Sequence, residues 1–493
     1  MNSKKIKLIT ISVTMVLNTQ MALAEDLITD FGGLKDALKN ATGPSVTLKL
    51  GSDILATAPI KTGKNTPKSV TILGEGKKYR SNTLAFDVQH NTKLELNNIT
   101  LEDIQHGSSW GGAMYNEGTL ILDNVTFNNN IAKTPKAVGG GAMALVATRK
   151  NPVSTTIKNS TFTNNSTVSN PNYENNGGAI YVYGTNGQVG NNTLNISDSH
   201  FESNHTNKTG GAIGVNNLGP SVFEIEIKDT TFTKNNSTGY GGAIDVTTGG
   251  TGNVTLNLDN ATFNGNKSKS DGGAIAYEKG NITSNIINST FTNNTANNGG
   301  AIYNGIKNLE ISNTIFDGNK TNDGGKGGAI FNGVEGTINF QTETDKDINF
   351  VENVANGQGN DIFNEGTINL KGNGKINVTG GIAGISGAII SNNGSILNLG
   401  GANEKYIGEF VQNSGTTNVT GSFFGGKSEI AGVLNWLTDT DIAEGAMMTF
   451  NGGNLNVGNG VNSAKLTIKG DSTLAGASTV EVKNNAELTF AKE

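Results

Sequence analysis

Along most of the chain apolar residues fall at every second position in short runs, as in Thr119-Leu120-Ile121-Leu122 and Phe223-Glu224-Ile225-Glu226-Ile227, separated by polar turn residues. Period two predicts half-buried β-strands, and no apolar stripe of helical spacing interrupts them. One short exception stands near the start. Leu34-Lys35-Asp36-Ala37-Leu38-Lys39 has the spacing of an amphipathic helix, with Thr29 or Asp30 as its N-cap. A helix there would cover the open end of a β-structure.

The strands are organised by a repeat. Eight phenylalanines, Phe127, Phe162, Phe201, Phe232, Phe263, Phe291, Phe316 and Phe350, are each followed three residues later by asparagine: Asn130, Asn165, Asn204, Asn235, Asn266, Asn294, Asn319 and Asn353. Three residues before each stands Asn124, Asn159, Asp198, Asp229, Asn260, Asn288, Asn313 or Asp347. Gly-Gly-Ala-Ile or a near variant follows each copy or precedes the first, starting at Gly111, Gly140, Gly177, Gly210, Gly241, Gly272, Gly299 and Gly327, with a degenerate version at Gly359. A recurrence of about 31 residues marks a solenoid or propeller, and units this short hold too few strands for a blade. The expectation is an all-β, single-stranded parallel β-helix in which each repeat is one coil. Phe would stack inward on Phe of the next coil. Asn three residues on would leave the strand in the left-handed conformation and bond its own turn, and the preceding Asn or Asp would close a corner in the same way. Gly-Gly would supply the remaining corner, with Ala and Ile filling the interior beside it.

These two alternating motifs, over residues 98–364, resemble the repeat of the chlamydial-type polymorphic outer-membrane proteins. The resemblance implies a right-handed β-helix, an autotransporter passenger, delivery to the bacterial surface and a role in adhesion.

The expected organisation is therefore a signal peptide at 1–24, an N-terminal cap at 25–45, repeat-bearing β-helix at 46–364 and less regular coils at 365–493. Lys4, Lys5 and Lys7, the apolar stretch Leu8 to Leu17 and the small-residue site Ala22-Leu23-Ala24 form the signal, whose apolar part is too short to span a bilayer. Residues 365–493 lack the series of ten-residue alternating strands and aromatic girdles of an outer-membrane barrel. Display would then use a separate outer-membrane anchor, or the chain would be a secreted rod or a truncated passenger.

Composition narrows the chemistry. The 493 residues include 72 Asn and 68 Gly but no Cys, so stability rests on packing and backbone ladders. Net charge is −6 with dispersed charges and only Arg80 and Arg149 as arginines, which excludes a basic stripe for nucleic acid. Gly421 to Ser428 matches a phosphate-binding loop by pattern alone, without the strand-to-helix context it needs. Neither cofactor nor metal is expected: His90, His106, His200 and His205 lack ligand spacing, and Asn in most −3 positions favours turns over calcium at Asp198 and Asp229. The rival to a non-catalytic adhesin is a carbohydrate-active β-helix enzyme, a lyase or hydrolase. Its candidate carboxylates are Glu343, Asp345 and Asp347 on one strand face, Glu224 with Glu226, and Asp439 with Asp441, all read as solvated edges. Trp110 offers either cap packing or a stacking platform for sugar. Binding to a host-surface protein or glycan would use the outer faces and corner insertions at 131–139 and 166–176.

Overall fold

The computed structural model describes residues 27–491 except 64–65, 108–109, 135–138, 148–151, 170–175, 186–189, 356–360, 402–405, 422–424 and 462. The segment read as a signal, 1–24, lies outside the described residues, as do Gly359 and Asn360 of the degenerate repeat.

Helix α1, Phe31–Asn40, begins where Asp30 accepts a hydrogen bond from the Gly33 amide at 2.7 Å, a side-chain cap for an otherwise orphaned donor. Its buried residues Phe31, Leu34 and Leu38 join the end of the core beside strands Ser45–Lys49 and Ile54–Ala56. The apolar spacing that predicts the helix thus also places it as a lid.

The coil beginning at Asn191 shows the plan of the rest. Asn191–Ser197 forms one strand, Asp198 turns the chain at φ 50°, His200–Glu202 continues, and Ser203 turns it again at φ 54°. His205–Thr206 makes a short side, and Gly210-Gly211 lead into Ile213–Asn217. Each strand pairs in parallel with its counterpart one coil on, as in Leu194 with Ile225, Phe201 with Phe232 and Ile213 with Ile244. The molecule is a parallel β-helix whose described residues form a 29-stranded, a 12-stranded and an 8-stranded sheet, with a three-stranded sheet near the C-terminus. Sixteen successive pairings link Ser45 to Asp471, giving seventeen rungs. At about 4.8 Å per rung they extend about 77 Å.

The eight repeat phenylalanines form one buried stack with centroids 4.6 to 5.0 Å apart and rings within 11° of parallel. Strand alternation aims every one of them inward, and parallel register superimposes them. The same inward column runs back through Leu101 and Tyr79 and forward through Val378, Leu399, Val419, Trp436 and Val457.

The asparagine three residues after each Phe corrects the sequence expectation. The left-handed residue is one position earlier: Asn129, Asn164, Ser203, Lys234, Gly265, Asn293, Gly318 and Glu352 have φ between 50° and 64°. That turn swings the following Asn into the interior, where all eight are buried. Each amide nitrogen donates to the next Asn Oδ1 at 2.9–3.0 Å and to a carbonyl of the preceding rung, while each Oδ1 also accepts a backbone N–H. A buried polar column is tolerated because every donor and acceptor in it is used. The ladder ends at Asn353, which donates to buried Asp361 at 2.9 Å.

Seven of the eight −3 residues are left-handed, φ 44° to 54°; Asp347 is not among them. In the Gly-Gly corners the first glycine has φ 61° to 79°. The second is needed for a different reason: at seven of them, from Gly112 to Gly300, an added Cβ would lie 1.9–2.2 Å from a carbonyl oxygen of the next coil. Corners there touch backbone to backbone.

Two further expectations change. Residues Ile131–Thr134 and Ser166–Ser169, expected within corner insertions, are paired strands of the 8-stranded sheet. Glu343, Asp345 and Asp347 do not share a strand face, because Glu343 to Lys346 is a tight turn closed by an antiparallel bridge, with Asp345 at φ 62°. The 8-stranded sheet ends at Lys320–Thr321, and later coils shorten to 17–21 residues per turn. There the asparagine ladder moves to the outer side, running Asn349, Asn377, Asn398, Asn418, Asn435, Asn456.

Candidate binding cleft

The residue after each Gly-Gly-Ala-Ile faces away from the core, because Ile before it faces in. Register stacks these positions in the 12-stranded sheet: Tyr115, Ala144, Tyr181, Gly214, Asp245, Ala276, Tyr303, Phe331 and Phe363. The column is aromatic at both ends and small or acidic in the middle.

At one end Trp110 lies on Tyr181 and Tyr183, with centroids 6.0 and 4.8 Å away. At the other, Tyr303 stacks on Phe331 at 5.6 Å and Phe331 on Phe363 at 5.8 Å, while Tyr240 tilts against Tyr303 at 6.1 Å. Lys326 caps Phe363, its Nζ 4.3 Å from the ring centre, and reaches Glu365 at 3.7 Å.

Between these ends three carboxyls gather. Asp245 is fully buried, and the Thr209 hydroxyl is its side-chain donor. Beside it is the half-buried Glu278 carboxyl. Two ionised carboxylates offer each other no donor, so their contact becomes a hydrogen bond only when one holds a proton. Burial, and then the charge of Glu278, pushes the Asp245 pKa well above its ordinary value; burial raises Glu278 as well. Asp271 is raised by burial too, against the pull of Asn298, which donates to it from its backbone at 3.1 Å and its side chain at 2.9 Å.

Two clefts adjoin at Glu278 and Lys279. One is lined by Asp271, Tyr303, Phe331, Glu335 and Glu365, the other by Asn176, Lys208, Thr209, Asn216 and Thr247. Together they cross seven coils, about 30 Å at the rung spacing. Rings, carboxyls and amides converging in an open trough present flat apolar surface and hydrogen-bonding groups side by side.

Apart from Trp110 at one end of the column and Asn176 of the expected insertion 166–176, the residues singled out from sequence lie elsewhere. The Phe and Asn columns are interior. Glu224 and Glu226 are exposed on the long sheet, where Asn257 donates to Glu226 at 2.6 Å. Asp439 accepts from the Lys465 amide and Asp441 pairs with Lys469 at 2.9 Å. Asp198 and Asp229 are exposed, and Asn260 donates to Asp229 at 2.6 Å. His200 bonds Thr231 and approaches Glu202 at 3.4 Å. Among the described residues no three His, Cys, Asp or Glu side chains cluster as metal ligands. Lys427 of the phosphate-loop pattern opens strand Lys427–Ile430, not a helix, and pairs with Glu409 and Glu429. Asp245, Glu278, Asp271, Tyr240 and Tyr303 were missed. Aligning the repeats by the residue after Gly-Gly-Ala-Ile would have exposed Asp245 as the one acid in that column.

The family model of the Chlamydia polymorphic membrane protein repeat matches residues 159–183, 229–247, 260–278 and 288–305. No curated protein matches the chain. The matched segments contain Asp245, Asp271, Glu278, Tyr240 and Tyr303, so the cleft is built on the repeats themselves.

Proposed function

With repeats of the chlamydial polymorphic membrane protein family as the starting point, we propose that this chain is a surface-displayed, adhesin-like β-helical passenger that binds without catalysis. The family consists of autotransporter-type surface proteins, which supports export through residues 1–24 and display outside the cell. The observation that carries a binding role is the seven-coil trough of aromatic and carboxyl groups on a rigid rod. A β-helix fixes such groups in register at low conformational cost, so ligand binding need order little of the protein.

The test is adhesion of purified chain to host-cell surfaces. Binding should saturate and fall on Tyr303→Ala with circular dichroism unchanged; equal binding by both forms would refute the role of the cleft.

A hydrolase is the second reading, favoured by the adjacent Asp245 and Glu278 carboxyls, both pushed up by burial. Against it, Asp245 is fully buried, away from any substrate in the trough. Release of reducing ends from a polysaccharide, lost in Glu278→Gln, would establish the enzyme instead.

A further inference from the structure

Resting on the binding reading above, we propose that the trough over the 12-stranded sheet is a site for an uncharged, linear oligosaccharide, with Tyr303 as stacking platform and Glu278 and Asp271 as hydroxyl-binding groups. Four features point to that chemistry.

The first is shape. Two adjoining clefts that meet at Glu278 and Lys279 span seven coils, about 30 Å, suited to several units of an extended polymer. The second is the ring at its centre. Tyr303 ends the Tyr303, Phe331, Phe363 stack, and the next position in its column is Ala276, whose side chain stops at Cβ. Tyr240 tilts against Tyr303 at 6.1 Å, so this half-buried ring presents to the groove the surface that neither Phe331 nor Tyr240 covers, for the C–H face of a sugar.

Charge is the third. Acids and lysines are mixed in the lining, with Asp271, Glu278, Glu335 and Glu365 beside Lys208 and Lys279, so no run of positive charge recommends a sulfated or uronate chain. A polycation fares little better. Lys208 and Lys279 lie among the acids, and Glu335 and Glu365 are paired with Lys307 and Lys326 at 3.6 and 3.7 Å. What remains is a surface of balanced charge with hydroxyls and amides between. The fourth is Asp245. Fully buried between the Thr209 hydroxyl and Glu278, it gives the Glu278 carboxyl a fixed neighbour at the wall of the groove.

The experiment uses the full chain on immobilised hexamers of β-glucose, mannose and N-acetyllactosamine, with heparin and poly-lysine as charged polymers, alongside host cells. Expected is retention on at least one neutral hexamer, weakened ten-fold or more by Tyr303→Ala and by Glu278→Ala. Glu310→Ala, on an exposed strand of the long sheet, should leave retention unchanged. Stronger retention on heparin or poly-lysine than on every neutral hexamer overturns the assignment, as does retention indifferent to Tyr303→Ala. Cell binding abolished by protease treatment of the cells, with no hexamer retained, would overturn the glycan assignment and leave the adhesin reading standing. Binding to neither cells nor hexamers overturns both.

Discussion

The buried asparagine ladder makes Asn294→Ala the most informative perturbation of the rod. Asn294 Oδ1 accepts from the Asn266 amide at 2.9 Å and from Asn266 Nδ2 at 3.0 Å; its own Nδ2 donates to the Phe263 carbonyl at 3.0 Å and to Asn319 at 2.9 Å. Truncation strands two buried groups, the Asn266 backbone N–H and one Asn266 amide hydrogen, while the Phe263 carbonyl stays in the parallel ladder to the next strand. Asn319 Oδ1 keeps the Asn294 backbone donor at 3.0 Å. An orphaned buried group costs about 1–3 kcal/mol, so the expected loss is about 2–4 kcal/mol after water enters part of the vacated space. Its neighbour Asn293 is exposed and left-handed at φ 55°, so Asn293→Ala should cost only about 1–2 kcal/mol and Asn293→Gly close to nothing. Asn294→Asp adds a diagnostic. A buried Asp there has its pKa raised above the unfolded value, so its stability is present in acid and lost as pH rises through the folded pKa, whereas Asn294→Ala should show no such slope. Urea unfolding followed by circular dichroism at several pH values measures all four variants. If Asn294→Ala costs no more than Asn293→Ala, the ladder is not what holds successive coils together and the energetic account above is wrong.

Corner and core variants give parallel checks. Gly242→Ala, whose Cβ would lie 2.0 Å from the Gly273 carbonyl oxygen, should prevent ordered stacking, while Gly265→Ala, with nothing nearer than 3.7 Å, should cost about 1–2 kcal/mol; thermal melts compare them. Phe263→Ala, which leaves a gap between two stacked rings 4.8 Å away on either side, should destabilise by about 3–5 kcal/mol, with Phe263→Leu losing less, read from the same urea transitions. Asp361, raised by burial to about 6 despite bonds from Asn353 and the Gly380 amide, stabilises the rod most when protonated. That contribution is complete below about 3.8 and should fade as pH rises through about 6, a loss of about 3 kcal/mol that Asp361→Asn would flatten.

How much of this was legible in the sequence depends on whether a residue's job is local or comes from the coil above it. Alternating Leu and Ile reports which side of a strand is buried, and Phe at a fixed place in a repeat reports its own stack; both follow from one coil read alone. The N-cap and the apolar face of α1 are equally local, and Asp30, Leu34 and Leu38 serve there as their spacing predicts. Asn294 is different. Its preference for turns suggested a left-handed corner, but Asn293 already fills that role, and only the coil-to-coil distance lets Asn294 find its four partners. Glycine was half legible: φ freedom at Gly241 belongs to its own corner, whereas the need for Gly242 comes from a carbonyl 31 residues further on. The cleft was least legible, because Asp245, Glu278 and Tyr303 lie in three successive coils, and nothing in any single repeat distinguishes an outward acid over solvent from one sealed beneath a neighbouring corner. Glu226 and Asp245 look alike along the chain, yet one is exposed and meets Asn257, and the other is fully buried beside Thr209 and Glu278. In a solenoid the strand pattern tells which side a residue takes, but burial on the outer side is set by corner length and by what the next turn lays across it, so function accumulates where the single-repeat pattern is silent.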